Sequence, residues 1–351
     1  MQRKKSDQRR IAIIAVATAA FMWLLLYAPT PYVVYEPGIA VSVKPMITIE
    51  TGDRPGNGDF LLTAVKLTEP NMLRTIASMW DADKEVHLRR DVFRGYTEKQ
   101  YVERQQVIMQ GSQNNAIEAA YHYAGLSYAI KADGLLIADV MASNDGKPSV
   151  FQTGDLLLGV HGEAGAESAE QLLGSVQSMN TSKDAAFDVA RKGEHVQVNL
   201  PKGALDDVET SEQLLNALGI KSLMELHSLE PDDPDNRITI TAGDIGGPSA
   251  GLVFALQALE LLTEGDLAGG SRIAATGTIT VDGKVGAIGG IKQKIVIASE
   301  KGAALFLVPA DNFKEAEAKA IELGGSIKVI SVSTLEEAIE QIKVFNASSA
   351  K

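Results

Sequence analysis

The chain has 351 residues, 45% of them hydrophobic and 22% charged, with a formal charge of −12 and no cysteine. That much apolar material can fill two or three cores and excludes a disordered polypeptide. The lack of cysteine excludes disulfides, thiol catalysis and thiolate zinc sites, and an acidic body argues against nucleic acid as a partner.

The charge is unevenly spread. Arg3, Lys4, Lys5, Arg9 and Arg10 against Asp7 give residues 1–10 a net +4, which leaves −16 for residues 11–351. Residues 11–28 carry no charge and end at Pro29. As a helix they span roughly 27 Å, close to the hydrocarbon thickness of a bilayer. Five basic residues before the span predict a cytoplasmic tail over 1–10, and Trp23 and Tyr27 sit where interfacial aromatics are expected. The run Leu26-Tyr27-Ala28-Pro29-Thr30-Pro31 offers no good small-x-small cleavage site. The expectation is an uncleaved, single-pass anchor in the cell membrane, with the remaining mass extracytoplasmic.

Residues 29–124 read as a membrane-proximal region of strands, then helices. Tyr32-Val33-Val34-Tyr35, Ile39 to Val43 and Phe60 to Val65 are strand-like, with Gly, Pro, Asp and Asn punctuation at 52–58. From 70 to 124 the pattern is mostly helical and carries no legible chemistry. Residues 125–203 change texture to short strands and one helix. Leu135 to Val140 and Gly154 to Val160 are strands, Ser168 caps a helix through about Ser178, and Ala185 to Ala190 with His195 to Leu200 form a hairpin around Lys192-Gly193. This stretch resembles a PDZ domain, with Gly154-Asp155-Leu156-Leu157 in the place of that family's Gly-Asp-x-Ile turn. The resemblance implies that Gly125, Leu126, Ser127 and Tyr128 form the loop whose backbone donors capture a peptide carboxylate. Residues 204–236 read as an acidic, poorly patterned connection.

The chemistry lies beyond it. Arg237 to Thr241 alternates as a strand, Asp244 to Gly247 is a turn, and Pro248 suits the first position of a helix. That helix, about Ser249 to Leu262, is apolar nearly all round and must be buried. Ser249 therefore stands at the amino-terminal end of a buried helix, where free N–H groups and the positive dipole end can hold an oxyanion. Gly247, Pro248 and Ala250 complete the nucleophile turn, and Gly246 and Gly247 leave room for a substrate carbonyl. A serine hydroxyl needs a base, and a lysine serves if burial lowers its pKa. Gly289-Gly290 precede Lys292 in an apolar setting of Ile288, Ile291 and Ile295. Lys294 competes, but two positions along a helix is about 200°, so only one of the two can face the serine. Position 292, adjacent to the glycines, is the expected base.

The segments Gly-Pro-Ser-Ala-Gly at 247–251, Thr276 to Thr280, Gly283-Lys284-Val285 and Ile288 to Lys294 resemble the Lon protease family over about 237–345. The resemblance implies a Ser–Lys dyad of Ser249 and Lys292, with Thr276 as a candidate to orient the amine. No Gly-x4-Gly-Lys-Ser/Thr occurs, so the phosphate cradle of an ATPase is not expected. Many ATP-dependent relatives carry an acid directly before Gly-Pro-Ser; here Gly246 stands there, and the acid's role is not transferred to Asp244. Of the histidines His87, His122, His161, His195 and His227, only His227 lies near the serine segment, and no motif surrounds it. Asp232, Asp233 and Asp235 lack the glycine and glutamate of a calcium loop, and no metal or cofactor is expected.

The expected fold is α+β: an N-terminal transmembrane helix, a PDZ-like small β domain and a Lon-type α/β proteolytic domain. The whole resembles the membrane-anchored, ATP-independent PDZ–Lon proteins of Gram-positive bacteria. That implies a serine endopeptidase acting on extracytoplasmic peptides or flexible protein segments, with the PDZ-like domain recruiting or gating substrate, and allows a homo-oligomer. The alternative is a non-catalytic PDZ scaffold at the membrane.

Overall fold

A computed structural model describes residues 2–51, 56–141, 149–160, 163–164, 166–178, 184–206 and 208–349, the side chains of 2–8, 163–164 and 349 excepted. The punctuation expected at 52–55, His161, and the side chains of Arg3, Lys4 and Lys5 lie outside the described residues.

The N-terminal helix α1 (Gln2–Tyr27) contains Arg9–Tyr27, 19 residues of mean hydropathy 2.0 with none buried. Among the described residues it is the one helix long and apolar enough to cross a membrane. The chain then enters β1 (Tyr32–Ser42), β2 (Ile47–Ile49) and β3 (Asp59–Thr68). The two short strands expected at 32–43 are one strand with a bulge between Pro37 and Ile39. Gly38 makes the bulge possible, since a Cβ there would lie 2.4 Å from the Ala64 carbonyl oxygen. Helix α2 (Met72–Ser78), strand β4 (Glu85–Leu88) and helix α3 (Arg89–Phe93) follow. Next comes α4 (Glu98–Ala124), opened by a Thr97/Gln100 capping box and closed by Gly125 in the left-handed region.

Residues 128–231 form a separate body on a second sheet. Its elements are β5 (Tyr128–Val140), β6 (Leu156–Val160), β7 (Glu163–Ala164), α5 (Ala169–Gln177), β8 (Ala185–Arg191), β9 (Glu194–Leu200), α6 (Ser211–Leu218) and β10 (Ile220–Pro231). The sheet runs β10-β5-β6-β8-β9, with β7 beside β6. Its own core joins Leu135, Ile137, Phe151, Phe187 and Val189 to Leu172 and Val176 of α5 and Leu214 and Leu218 of α6. The expected connection at 204–236 is therefore corrected. It supplies a capped helix and a strand paired with β5 from Ile220↔Val140 to Pro231↔Tyr128. The acidic composition hid an alternation, because the charged residues occupy the solvent side of an edge strand.

The chain returns through β11 (Ile238–Ile240), α7 (Gly251–Leu262), β12 (Arg272–Ala275), β13 (Thr278–Ile279), β14 (Val285–Gly286), α8 (Ile291–Glu300), β15 (Leu305–Pro309), α9 (Phe313–Glu322), β16 (Lys328–Val332) and α10 (Leu335–Ser349). These elements do not stand alone. The first sheet has the order β16-β15-β12-β3-β1-β4, so strands from 32–88 and 272–332 share one hydrogen-bonded layer. Alternating side chains feed its two faces. Phe60, Leu62, Ile273, Ala275, Leu305 and Leu307 pack with residues of α4, α7 and α10, whereas Leu61, Ala274, Phe306 and Val308 pack with residues of α8 and α9. Strands and helices of the region 29–124 are thus part of this α/β body, and β4 interrupts the stretch expected to be mostly helical. Strand β3 is central, parallel to β12 on one side and antiparallel to β1 on the other.

Within the α/β body, Tyr121 of α4 bolts the N-terminal part to the returning chain at 236–238. Fully buried, its hydroxyl donates to the Asn236 carbonyl at 2.9 Å and accepts from the Ile238 N–H at 3.1 Å. Tyr121→Phe leaves both backbone groups unpaired, and the urea midpoint of the full-length chain in detergent should fall by the equivalent of about 1–3 kcal/mol. An unchanged midpoint would show that the bolt carries no stability.

Candidate functional site

The serine turn is held from both sides. Gly247 has φ +90°, which favours glycine, and its N–H donates to the Gln105 carbonyl of α4 at 2.8 Å. A Cβ on Gly246 would lie 2.8 Å from that of Gln105. The glycine pair therefore admits helix α4, and both glycines also border the cavity at Ser249. Ser112 of α4 donates to the Pro248 carbonyl at 3.0 Å. On the opposite side the Ser249 carbonyl accepts from Gly277 N–H at 2.9 Å and Thr276 Oγ1 at 3.0 Å. Thr276 is fully buried and fixes the serine backbone, where the sequence suggested that it orients the amine.

The amine facing Ser249 belongs to Lys294. Its Nζ lies 3.0 Å from Ser249 Oγ and donates to the Thr63 carbonyl of β3 at 2.6 Å. Among the described residues no carboxylate pairs with it, and burial alone pushes its pKa down to about 7. Lys292, the expected base, is placed elsewhere. Its Nζ is 3.2 Å from both Glu85 and Glu315, and those two carboxylates hold its pKa above the ordinary lysine value. Gly290, with φ +69°, caps α8, and Lys294 N–H closes the first turn onto its carbonyl at 3.1 Å. Position 292 falls in that first turn on the outer face. Lys294 belongs to the stripe Ile291, Lys294, Ile295 and Ala298, all at or below 2% exposure. The i, i+3, i+4, i+7 spacing of that stripe is in the sequence; a lysine inside an apolar stripe was the signal to follow. Gly290 instead admits β3, since a Cβ would lie 2.5 Å from Val65. Asn312 steadies the approach through paired 2.9 Å bonds with the Ile288 backbone.

Ser249 opens into a cavity of about 500 Å³ between β3, α4 and the serine turn. Its walls are largely apolar, from Tyr35, Val65, Leu67, Tyr101, Met109 and Ile288. Burial, helped by neighbouring Tyr101, pushes the Tyr35 phenol up to about 12, so it stays neutral. Among the described residues no histidine lines this cavity. His227 instead approaches Glu118 at 3.8 Å. Asp244 borders the cavity and is exposed. No group of three His, Asp or Glu able to hold a metal occurs among the described residues. Chemically, the arrangement offers a hydroxyl beside an amine that is neutral for much of its population near pH 7. The N–H groups of Ser249 and Ala250 lie at the head of α7, while the N–H of Gly247 is already engaged and Pro248 has none.

The expected peptide loop is built for a different task. Gly125 N–H donates to the His122 carbonyl at 3.2 Å and Leu126 N–H to the Tyr121 carbonyl at 3.0 Å. This is the Schellman end of α4, and its donors are spent. Leu126 packs on the main core, the Ser127 carbonyl accepts from Asp232 N–H at 3.0 Å, and Tyr128 donates to Glu118 at 3.0 Å. Gly154-Asp155 does form a tight turn, with Gly154 at φ +90° and buried Asp155 paired to Arg191 at 2.6 Å.

Comparison with known proteins bears on this site. Residues 220–344 match the Lon protease (S16) C-terminal proteolytic domain. The chain is 32% identical over 163 residues to a Lon protease of Clostridioides difficile (strain 630), covering 42% of this chain and 20% of that protein. A Lon protease of Clostridium beijerinckii is 28% identical over 141 residues, covering 40% and 18%, and one of Neorickettsia sennetsu 34% over 93 residues, covering 26% and 11%. The chain thus spans a fifth or less of the length of these relatives. It carries a Lon-type proteolytic domain.

Keeping Lys294 uncharged has a stability signature. A folded pKa near 7 against 10.5 unfolded means the unfolded chain binds more protons between those values. Stability therefore rises with pH through that window and is penalised below it, by roughly 4–5 kcal/mol at pH 7. Lys294→Met should raise the denaturation midpoint at pH 7 and flatten its dependence between pH 7 and 10. A variant less stable than the parent at pH 7 would contradict the buried neutral amine.

Proposed function

We propose that this chain is a membrane-anchored serine endopeptidase, with Ser249 the nucleophile and Lys294 its general base. The observation that carries the reading is the 3.0 Å approach of a fully buried lysine amine to the serine hydroxyl. Ser249 Oγ attacks the scissile carbonyl as its proton passes to Lys294 Nζ. The Thr63 carbonyl holds one amine hydrogen and so aims the lone pair at the hydroxyl. The oxyanion rests on the N–H groups of Ser249 and Ala250, aided by the positive end of α7. The lysine ammonium returns its proton to the leaving amine, and water then releases the acyl group by the same route.

Substrate enters as an extended strand. Pairing of β12 with β3 stops at Leu62↔Ala275, and beyond it Ala64, Val65 and Leu67 border the cavity. A peptide added along that free edge would bring its carbonyl to Ser249, with backbone bonds setting affinity. We take substrates to be short or flexible, because no ATPase phosphate motif accompanies the domain. Helix α1 anchors the enzyme with its basic tail in the cytoplasm and the catalytic body extracytoplasmic.

The PDZ-like body gates the site. A cleft of about 660 Å³ between α4 and this body is lined by Gln106, Met109 and Ile245, which also line the serine cavity. A peptide end held in that cleft touches the serine turn directly.

Cleavage of an unfolded fluorescent protein by the full chain in detergent, without ATP, tests the mechanism. Ser249→Ala and Lys294→Ala should each lose at least about 10³-fold in kcat/KM, while Lys292→Ala stays within about threefold of the parent. The sequence-based choice of Lys292 would be reinstated by the reverse pattern. The pH profile should rise through about 7, losing about tenfold per unit below it as the amine protonates; a profile flat from pH 5 to 8 would exclude a lysine base of this pKa.

A further inference from the structure

Helix α2 and the turn after it present large apolar side chains to the outside of the α/β body. Leu73, Ile76, Met79 and Trp80 are 46, 37, 57 and 81% exposed. Their spacing of three and four residues keeps them along one side, while Thr75 and Ser78 turn inward. A helix that buries its small polar residues and exposes its large apolar ones is inverted relative to a water-facing element.

The location of this patch explains the inversion. Asn71, the cap of α2, donates through Nδ2 to the Leu26 carbonyl at 3.0 Å, one residue before α1 ends. Thr30 Oγ1 donates to the Pro70 carbonyl at 2.9 Å. The Arg89 N–H donates to the Pro31 carbonyl at 2.8 Å, which brings the start of α3 to the same level. The patch is therefore continuous with the apolar surface of α1 at the end carrying Trp23 and Tyr27. Arg74 within α2 and Arg90 beside the Pro31 contact are exposed, in a chain whose body is otherwise strongly acidic. Aromatic, aliphatic and arginine side chains at one depth are the composition of a membrane–water interface.

We propose that Leu73, Ile76, Met79 and Trp80 form a second membrane contact, seated among the headgroups and upper acyl chains of the leaflet from which α1 emerges. The proposal rests on reading α1 as a membrane span. Together with the hydrogen bonds that tie α2 and α3 to the end of α1, this contact fixes the orientation of the catalytic body. Tyr35, on the rim of the serine cavity, is seven residues beyond Ala28 and so lies within about 25 Å of the end of the span. Docked in this way, the cavity works on polypeptide segments close to the membrane surface.

The two tryptophans of the chain separate the span from the docking. The full chain is placed in phosphatidylcholine–phosphatidylglycerol vesicles, with or without bromine on the upper acyl chains, as two single-tryptophan variants. Trp80→Phe leaves Trp23 to report the span, and Trp23→Phe leaves Trp80 to report the patch. Bromolipid should quench most of the fluorescence of both. Adding Leu73→Ser and Ile76→Ser should abolish quenching of Trp80 and leave that of Trp23 intact. Quenching of Trp23 alone would overturn the docking and keep the span, whether acrylamide then finds Trp80 in water or shielded by another protein copy. Quenching of neither would overturn both.

Discussion

A buried amine with no counter-ion among the described residues is the constraint on which the rest of this structure depends. Desolvation, acting alone, lowers the Lys294 pKa to about 7, so a large share of the amine is neutral near that pH. Desolvation is a property of the whole enclosure, so every wall counts. Strand β3 supplies the Thr63 carbonyl, α8 supplies the apolar stripe around the lysine, and the serine turn supplies the hydroxyl. Were one wall to draw back, water would solvate the ammonium and the base would become a cation. Lys292, two residues away, shows the contrast. Half-exposed between two glutamates, it is a stabilised cation and cannot take a proton.

The serine turn meets this constraint with neutral bonds. Gln105, Ser112, Thr276 and Gly277 grip it through backbone and hydroxyl groups, and these four bring no charge to it. A carboxylate in any of those positions would attract a proton to Lys294 and raise its pKa. The glycines at 246 and 247 serve the same end, since they let α4 close over the turn and seal it.

The parts of this arrangement legible in the sequence are those encoded over short distances. The buried helix behind Ser249, the capped helix at Ser168, the hairpin at Lys192-Gly193 and the apolar span before Pro29 each follow from local pattern, and each is present. The glycine pair before Lys292 invited a local reading too, and there it misled. What decides between Lys292 and Lys294 is which face of α8 meets the sheet, and that is set by the apolar stripe rather than by nearness to the glycines. The place of residues 32–88 in the same sheet was not legible. Pairing of β3 with β12 joins residues more than 200 positions apart, and nothing in either strand names its partner. The strand at 220–231 was lost for a related reason: its alternation shows only once β5 is beside it.

That long-range pairing makes the Ser249–Lys294 arrangement depend on distant parts of the chain. Ser249 and both lysines lie within residues 249–294, yet the carbonyl that binds the Lys294 amine comes from Thr63, and the helix that packs on the serine turn ends at Ala124. Between those pieces the chain must complete an independent sheet and core from 128 to 231. Contacts of such sequence separation form slowly, because loop closure must be overcome before they contribute. Until they form, Lys294 sits in water with the pKa of an ordinary lysine and remains protonated. The surroundings that lower the Lys294 pKa therefore exist only when the N-terminal strands, α4 and the C-terminal elements are together.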